Sequence, residues 1–206
     1  METDKAIEIL KKLEDKYGVN TEIKYRLGNK YMSLSMHLES LEYCEKAFIE
    51  YGEAKKINES DVKILNNLGF CLLHKYRLLK EEKAQKALDN SILILENTIK
   101  IDKEHFNAYF NLGLSYIEKY KTSSENNKLF LEKAIYYLEI GETLEKGIFS
   151  IQISRAYSLK GDAKNSLLWL RKSLDTDDTI VKDDIINNEG FNNIKDDKSL
   201  NKIFKD

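Results

Sequence analysis

Four segments of the chain repeat one pattern of apolar and small residues. The first three begin with a bulky or apolar residue and the fourth with Ser150; in each, Leu or Ile follows three positions later, then a small residue, and three positions after that Tyr or Leu. The segments are 24–31 (KYRLGNKY), 65–72 (LNNLGFCL), 109–116 (YFNLGLSY) and 150–157 (SIQISRAY). This spacing places the apolar side chains on one side of a helix. The recurrence predicts stacked helical hairpins, because one hairpin cannot bury its own apolar face.

The small residue of the pattern is glycine three times, at Gly28, Gly69 and Gly113, and serine at Ser154. Glycine inside a helix costs about 1 kcal/mol relative to alanine, so its presence needs a packing reason. We therefore expect a partner helix to approach closely at Gly113. In 91–99, the small residues Ser91 and Thr98 are interleaved among large ones such as Leu95 and Ile99, which suits the second helix of a hairpin.

These residues resemble the tetratricopeptide repeat, which has an aromatic residue, Leu-Gly and Tyr on its first helix and small, aromatic and small residues on its second. The resemblance is clearest in 108–116 and in 156–177. In the latter, Gly161 forms the turn, Ser166 and Ser173 take the small positions, and Leu170 takes the aromatic one. The resemblance implies an all-α fold, a right-handed superhelical solenoid of antiparallel helix hairpins.

The pattern also predicts how the chain is organised. A repeat array is expected over 1–177, with a half repeat at 3–18 and full repeats at about 21–58, 60–102, 104–146 and 147–177. Residues 178–206 mix apolar residues with many acids and Asn, and they resemble the short helices that close such arrays. We expect them to form a C-terminal helical cap over the last hairpin.

The predicted repeats are longer than the 34 residues usual in the family. The distance is 41 residues from Gly28 to Gly69, 44 from Gly69 to Gly113, and 41 from Gly113 to Ser154. The additional residues are expected after Ala47 and in the turns near 74–85 and 118–130. We predict long helices and charged, protruding turns.

Composition narrows the classes of partner. With 33 basic and 35 acidic side chains the net charge is −2, which is not the footprint of a nucleic-acid or membrane-surface binder. The segment 1–10 carries acidic residues where a signal peptide needs basic ones, and no apolar run approaches the roughly 20 residues of a spanning helix. We expect a cytoplasmic protein.

The sequence offers no constellation for catalysis. Phosphate-loop, nucleophile-elbow and HExxH motifs are absent. The histidines His37, His74 and His105 lack partners at metal-ligand spacing, and the two cysteines, Cys44 and Cys71, are expected to be small packing residues rather than a disulfide. We predict a protein that is not an enzyme and that needs no cofactor.

In the tetratricopeptide family, first helices line a concave groove with side chains around the Leu-Gly position. The resemblance therefore implies a partner-binding groove here. Its predicted residues are Arg26, Asn29, Lys63, Asn66, Asn67, Phe70, His74, Asn107, Phe110, Asn111, Leu114, Gln152 and Arg155, with Tyr25 and Ile151 beside them.

Two readings of the groove residues stay open. Asn67, Asn111 and Gln152 recur at one position, and their amides either clasp the backbone of a peptide or bond only to neighbouring helices. The apolar residues Phe70, Phe110, Leu114 and Ile151 either receive an apolar-anchored peptide or amphipathic helix, or pack between helices.

Some family members capture the C-terminal carboxylate of a chaperone tail with cations placed around two asparagines. Asn29 and Asn67 match the asparagines, but Tyr25, Asn107 and Asn111 stand at the cationic places. This mode is therefore disfavoured.

The leading hypothesis is a non-enzymatic scaffold or adaptor that holds a peptide or helix of a partner protein. One alternative is a peptide-sensing regulatory module, which the absence of a DNA-reading helix weakens. Another is self-assembly through the half repeat, with Ala6, Ile7 and Leu10 presenting apolar surface. A monomer or weak homodimer is expected.

Overall fold

The protein folds into helices joined by short turns. The computed structural model describes residues 2–79, 83–123, 127–176 and 179–204, and the regular elements within these ranges are all helical. By its internal contacts the chain divides into two compact units, Met1–Asn111 and Leu112–Asp206.

The described residues of the first unit form five helices and the start of a sixth. Within it, α2 and α3 form one antiparallel hairpin, α4 and α5 form the next, and α1 packs against α2. The helices are α1 (Glu2–Tyr17), α2 (Thr21–Leu38), α3 (Leu41–Ile57), α4 (Val62–Leu78), α5 (Lys83–Ile101) and α6 (Phe106–Thr122), the last of which contains the boundary between the units.

Side-chain caps begin several of these helices. The Asn20 side chain accepts a hydrogen bond from the backbone N–H of Ile23 at 2.9 Å, and the Asp61 side chain accepts from Lys63 and Ile64 at 2.9 and 3.3 Å. Such caps satisfy backbone donors that have no partner inside the helix. In a chain without proline they determine where helices start.

Large side chains of second helices pack directly on the repeated glycines. A Cβ atom on Gly28 would lie 2.6 Å from two ring carbons of Tyr51, and one on Gly69 would lie 2.6 Å from Cγ of Leu95. The side chain of Leu95 is completely buried, which contributes about 2 kcal/mol. The expectation that glycine serves close helix packing is therefore confirmed in the first unit.

A half-buried ion cluster joins the first three helices. The Nζ atom of Lys24 on α2 lies 2.8 Å from Glu14 Oε1 on α1 and 2.9 Å from Glu50 Oε2 on α3. Burial disfavours the charged ammonium, but the two carboxylates outweigh it and raise the pKa of Lys24 above its usual 10.5. The cluster holds α1 against the first hairpin.

The apolar face of α1 differs from the one named in the self-assembly hypothesis. Leu10 is buried in the core and Ile7 packs against that core, so these two residues do not present apolar surface. The apolar side chains that α1 exposes are instead Ile9, Leu13 and Tyr17. The hypothesis was wrong about Ile7 and Leu10 because the helix turns that stripe toward α2.

The second unit continues with shorter helices. After the end of α6 come α7 (Leu129–Leu144), α8 (Ser150–Lys160), α9 (Ala163–Leu174), α10 (Lys182–Ile186), a 3₁₀ turn (Glu189–Phe191) and α11 (Lys198–Ile203). Leu138 fills the space in front of Gly113. In the last hairpin, Ser154 stands at the position of the glycine. Its hydroxyl donates a hydrogen bond to the backbone carbonyl of Ser166 at 2.7 Å, and the Ser166 hydroxyl donates to the carbonyl of Ser154 at 2.9 Å.

The C-terminal residues cover the last hairpin, as the predicted cap requires. Leu170 of α9 forms one buried cluster with Ile185, Phe191, Ile194 and Leu200. Because these side chains come from short helical pieces with polar outer faces, the last apolar side of the array is shielded from water.

Parts of the predicted charged turns, 80–82 and 124–126, lie outside the described residues. Across the described helices, none combines the length and the apolar character needed to cross a lipid bilayer.

Candidate functional site

The structure distributes the predicted groove residues over four first helices. Unit 1 holds most of them. Arg26 and Asn29 lie on α2; Lys63, Asn66, Asn67, Phe70 and His74 lie on α4; Asn107, Phe110 and Asn111 open α6. In unit 2, Leu114 lies on α6, and Gln152 and Arg155 lie on α8.

Four of the predicted asparagines in unit 1 form a continuous network of amide hydrogen bonds. Asn111 Nδ2 donates to Asn66 Oδ1 at 3.0 Å, and Asn66 Nδ2 donates to Asn67 Oδ1 at 3.1 Å. Asn67 Nδ2 in turn donates to Asn29 Oδ1 at 2.9 Å, where the Tyr51 hydroxyl also donates at 2.7 Å. The network links α6, α4, α2 and α3.

The amides at the inner end of this network bond to neighbouring helices. Asn66 and Asn111 are only 7% and 8% exposed, so their bonds join α4 and α6 in the interior. Asn67 Nδ2 donates a second hydrogen bond to the Tyr25 hydroxyl, 3.3 Å away. At the outer end, Asn29 Oδ1 accepts two hydrogen bonds, and its Nδ2 group forms none with residues that the structure describes.

Asn29 lines a cavity of about 600 Å³ on the face of unit 1 formed by α2 and α4. Its apolar lining includes Met32, Met36 and Phe70. The remaining lining residues are Ser33, His37, Tyr51 and Asn67. Met36 is 53% exposed, whereas Met32 is buried, so apolar surface extends from the rim to the floor.

The sequence prediction found Asn29, Asn67 and Phe70 but missed the other α2 residues that line this cavity. Met32, Ser33, Met36 and His37 are absent from the predicted groove residues. The signal was present, because residues 29, 32, 33, 36 and 37 follow the i, i+3, i+4, i+7 spacing of one helix face.

His74 does not line this cavity. Its Nε2 atom lies 3.1 Å from the Ser35 hydroxyl on α2, and its ring stacks beside Phe70 with centroids 6.5 Å apart. Partial burial lowers the pKa of His74 from its usual 6.5, which favours the neutral ring. His74 therefore joins two helices rather than presenting charge.

The other predicted residues of unit 1 lie outside the cavity lining. Arg26, Lys63 and Asn107 are exposed, and Arg26 pairs with Glu22 one turn earlier on α2. Phe110 is half-buried. These side chains are accessible for flanking contacts but do not converge on one point.

In unit 2, the C-terminal segment covers the predicted groove side of α8. A Cβ atom on Gly190 would lie 2.6 Å from Arg155 Nε, so the 3₁₀ turn rests directly on the arginine. Arg155 Nη1 also donates to Gln152 Oε1 at 3.4 Å, and Ile151 packs against the C-terminal cluster. Leu114 is buried in the packed interior.

Comparison with known proteins gives a consistent answer about the fold. No protein-family model and no curated protein matches the chain. Several solved structures match the chain. A crystal structure of MamA protein superposes with a TM-score of 0.63 at 20% identity, covering 86% of this chain and 84% of that one. A further MamA structure, from AMB-1, gives a TM-score of 0.58 at 16% identity, covering 87% and 85%.

A second kind of neighbour is named for the repeat itself. TTC0263, described as a thermophilic TPR protein in Thermus thermophilus, superposes with a TM-score of 0.67 at 14% identity, covering 86% of this chain and 84% of that chain. At such identities the likeness establishes architecture. The protein therefore has the all-α, tetratricopeptide-like fold of stacked helix hairpins that the Leu-Gly pattern predicts.

Proposed function

We propose that the protein is an interaction scaffold that binds an extended segment of a partner protein on the α2–α4 face of unit 1. The observation that carries this proposal is the cavity beside Asn29, where one oriented amide donor stands next to an apolar pocket. The proposal assigns the protein no catalytic step and no cofactor.

The hydrogen bonds around Asn29 orient its amide group. Its Oδ1 atom accepts from both Tyr51 and Asn67, so rotation of the amide would break two bonds. The NH₂ group is thereby held ready to donate to a backbone carbonyl of a bound segment, a contact that is independent of the segment's sequence.

The apolar part of the cavity selects the side chain next to that carbonyl. Met32, Met36 and Phe70 offer an apolar surface, and methionines adapt their shape to different occupants. A volume of about 600 Å³ holds one large apolar side chain with the adjoining backbone. The expected occupant is therefore an extended segment with a Leu, Met or Phe anchor.

Within this proposal, Asn29, Asn67 and Phe70 keep their predicted roles, and Met32, Ser33, Met36 and His37 join them. Arg26, Lys63 and Asn107 are assigned flanking contacts outside the pocket. The contacts predicted at the remaining groove residues stay predictions, as does a cytoplasmic location.

The test begins with selection of random peptides displayed on phage against the whole protein. We expect the enriched peptides to share an apolar anchor. Their affinity, measured by fluorescence anisotropy, should fall about tenfold in Asn29→Asp, because this change removes the donor but keeps the acceptor of both internal bonds. Asn97→Asp, on the exposed side of α5, is the matched control.

A second variant tests the apolar pocket. Met36→Lys places a charge in the cavity without disturbing the core, since Met36 is largely exposed, and it should weaken the same peptides at least as strongly. Ile49→Lys changes an equally exposed apolar residue of α3 outside the cavity. Peptides that bind both cavity variants as tightly as the unchanged protein would exclude this site.

A further inference from the structure

The two cysteines of the chain meet in the core of unit 1 although 27 positions separate them. Cys44 on α3 and Cys71 on α4 are both completely buried, and their Sγ atoms lie 3.8 Å apart. Each Sγ also lies close to the other residue's backbone carbonyl oxygen, at 3.6 and 3.5 Å. The sequence expectation of small buried packing residues is confirmed, but it did not foresee that they touch.

The surroundings distinguish the two thiols. A hydrogen bond from Cys71 lowers the pKa of Cys44 despite burial, and the Ser35 hydroxyl and the positive charge of Lys75 act in the same direction. The contact with Cys44 together with burial raises the pKa of Cys71. Cys44 is thus the thiol better able to hold the thiolate, which is the reactive form.

We propose that Cys44 and Cys71 are an oxidation site, a dithiol that a small peroxide converts into a disulfide bond between α3 and α4. A disulfide has an S–S distance of about 2.05 Å, so the sulfur atoms need to approach by about 1.8 Å. Formation of the bond therefore requires rotation of the two side chains and a slight adjustment of the helices.

The chemistry balances with hydrogen peroxide as the oxidant. The Cys44 thiolate attacks one peroxide oxygen, the O–O bond breaks, and the products are a Cys44 sulfenic acid and hydroxide, which takes up a proton to become water. The Cys71 sulfur then attacks the sulfenic sulfur, the new S–S bond forms, and the thiol proton leaves with hydroxide as a second water. Two electrons pass from the thiols to the peroxide.

The product would connect two hairpins covalently. Cys44 belongs to the α2–α3 hairpin and Cys71 to the α4–α5 hairpin, so the bond would fix the contact between them. This inference is independent of peptide binding, because it concerns the core rather than the cavity.

The test uses the full chain in native buffer with hydrogen peroxide. After the reaction the protein is unfolded, alkylated with N-ethylmaleimide and weighed by mass spectrometry. We expect a monomer that has lost two hydrogen atoms, carries no alkyl group and regains two alkylated sites after reduction. Since the chain has no other cysteine, this result identifies the bond. Two alkylated thiols, sulfinic acid without a bond, or a cross-linked dimer would overturn the proposal.

A second measurement asks whether the fold brings the thiols together, and it needs no variant. The unchanged chain is equilibrated with mixtures of reduced and oxidised glutathione, in native buffer and in concentrated urea. Because the fold holds the sulfur atoms in contact, the equilibrium should favour the intramolecular disulfide at least about tenfold more in the native state. An equilibrium constant for disulfide formation that is equal or smaller in native buffer than in urea would contradict the inference.

Discussion

Leu95 occupies the space that a side chain at Gly69 would need, with its Cγ atom 2.6 Å from the position of a Cβ there. The same relationship joins Gly28 to Tyr51 in the preceding hairpin of unit 1. The hydroxyl of Ser91, one turn before Leu95 on α5, also donates to the Gly69 carbonyl at 2.8 Å. Glycine thus permits α4 and α5 to approach, and a side chain of the second helix fills the gap.

This relationship predicts that Gly69→Ala destabilises the protein by roughly 1–3 kcal/mol, because Leu95 must leave its packed position. The free energy of unfolding in urea measures the effect. Gly52→Ala is the matched control, since Gly52 lies inside α3 with nothing within 4 Å of its Cβ position. There alanine should stabilise by about 0.5–1 kcal/mol through its higher helix propensity. Equal effects at both positions would refute the packing explanation.

The ion cluster around Lys24 should stabilise α1 on the first hairpin. Lys24→Met leaves the carboxylates of Glu14 and Glu50 without their cation, and we expect a loss of roughly 1–3 kcal/mol, less than for a fully buried pair because some water reaches the site. Lys12→Met, on the exposed surface of α1, should have little effect. Urea unfolding compares the two variants.

The stabilisation that Lys24 provides should depend on pH, because the pKa of Lys24 is raised in the folded state. When the pKa of a group is higher in the folded state, the group stabilises the fold fully at pH values below its pKa in the unfolded chain. This stabilisation is lost as the pH rises through its pKa in the folded state. The difference in free energy of unfolding between the unchanged protein and Lys24→Met should therefore be constant near neutrality and shrink above about pH 10.5. A difference that grows with alkali would contradict this account.

Glu142 organises the turn that leads into α8. Its carboxylate accepts hydrogen bonds from the backbone N–H groups of Gly147 and Phe149, at 3.0 and 3.1 Å, and from the Ser150 hydroxyl at 3.0 Å. Glu142→Ala should cost roughly 1–3 kcal/mol by leaving these donors without their acceptor. The exposed Glu145→Ala is the control. Hydrogen exchange at Gly147 and Phe149 should speed up only in the first variant.

His105 is expected to make stability depend on pH in the weakly acidic range. Its Nε2 atom is buried without a hydrogen-bond partner among the described residues, and burial lowers the pKa of the ring from 6.5. Below about pH 6.5, His105 binds a proton in the unfolded chain but not in the folded one. Stability therefore falls with falling pH until the pH reaches the lowered pKa that His105 has in the folded state. His105→Gln should flatten this part of the curve.

The measurement for His105 is the free energy of unfolding at several values between about pH 7 and pH 5. His37→Gln, on the exposed surface of α2, is the comparison. An unchanged slope in His105→Gln would show that other groups carry the dependence.

The helices, their hairpin pairing and the glycines at which helices approach closely could be predicted because the signals for them are local. Leu-Gly at helical spacing marks the first helices, and Asn20 and Asp61 act as caps through backbone groups two or three residues away. The candidate site was predicted only in part. Asn29, Asn67 and Phe70 follow from the repeat position, whereas Met36 belongs to a helix face that the repeat signature does not mark.

The sequence by itself therefore determined which residues form helices and which small residues lie between them, because helix periodicity and capping act over a few positions. The tertiary structure decided which partners those residues meet. Asn66 and Asn111 form a hydrogen bond, and Cys44 contacts Cys71, only because their helices pack at a particular distance and rotation about their axes. No local pattern encodes these distances, since they arise when side chains of separate helices fill one another's gaps.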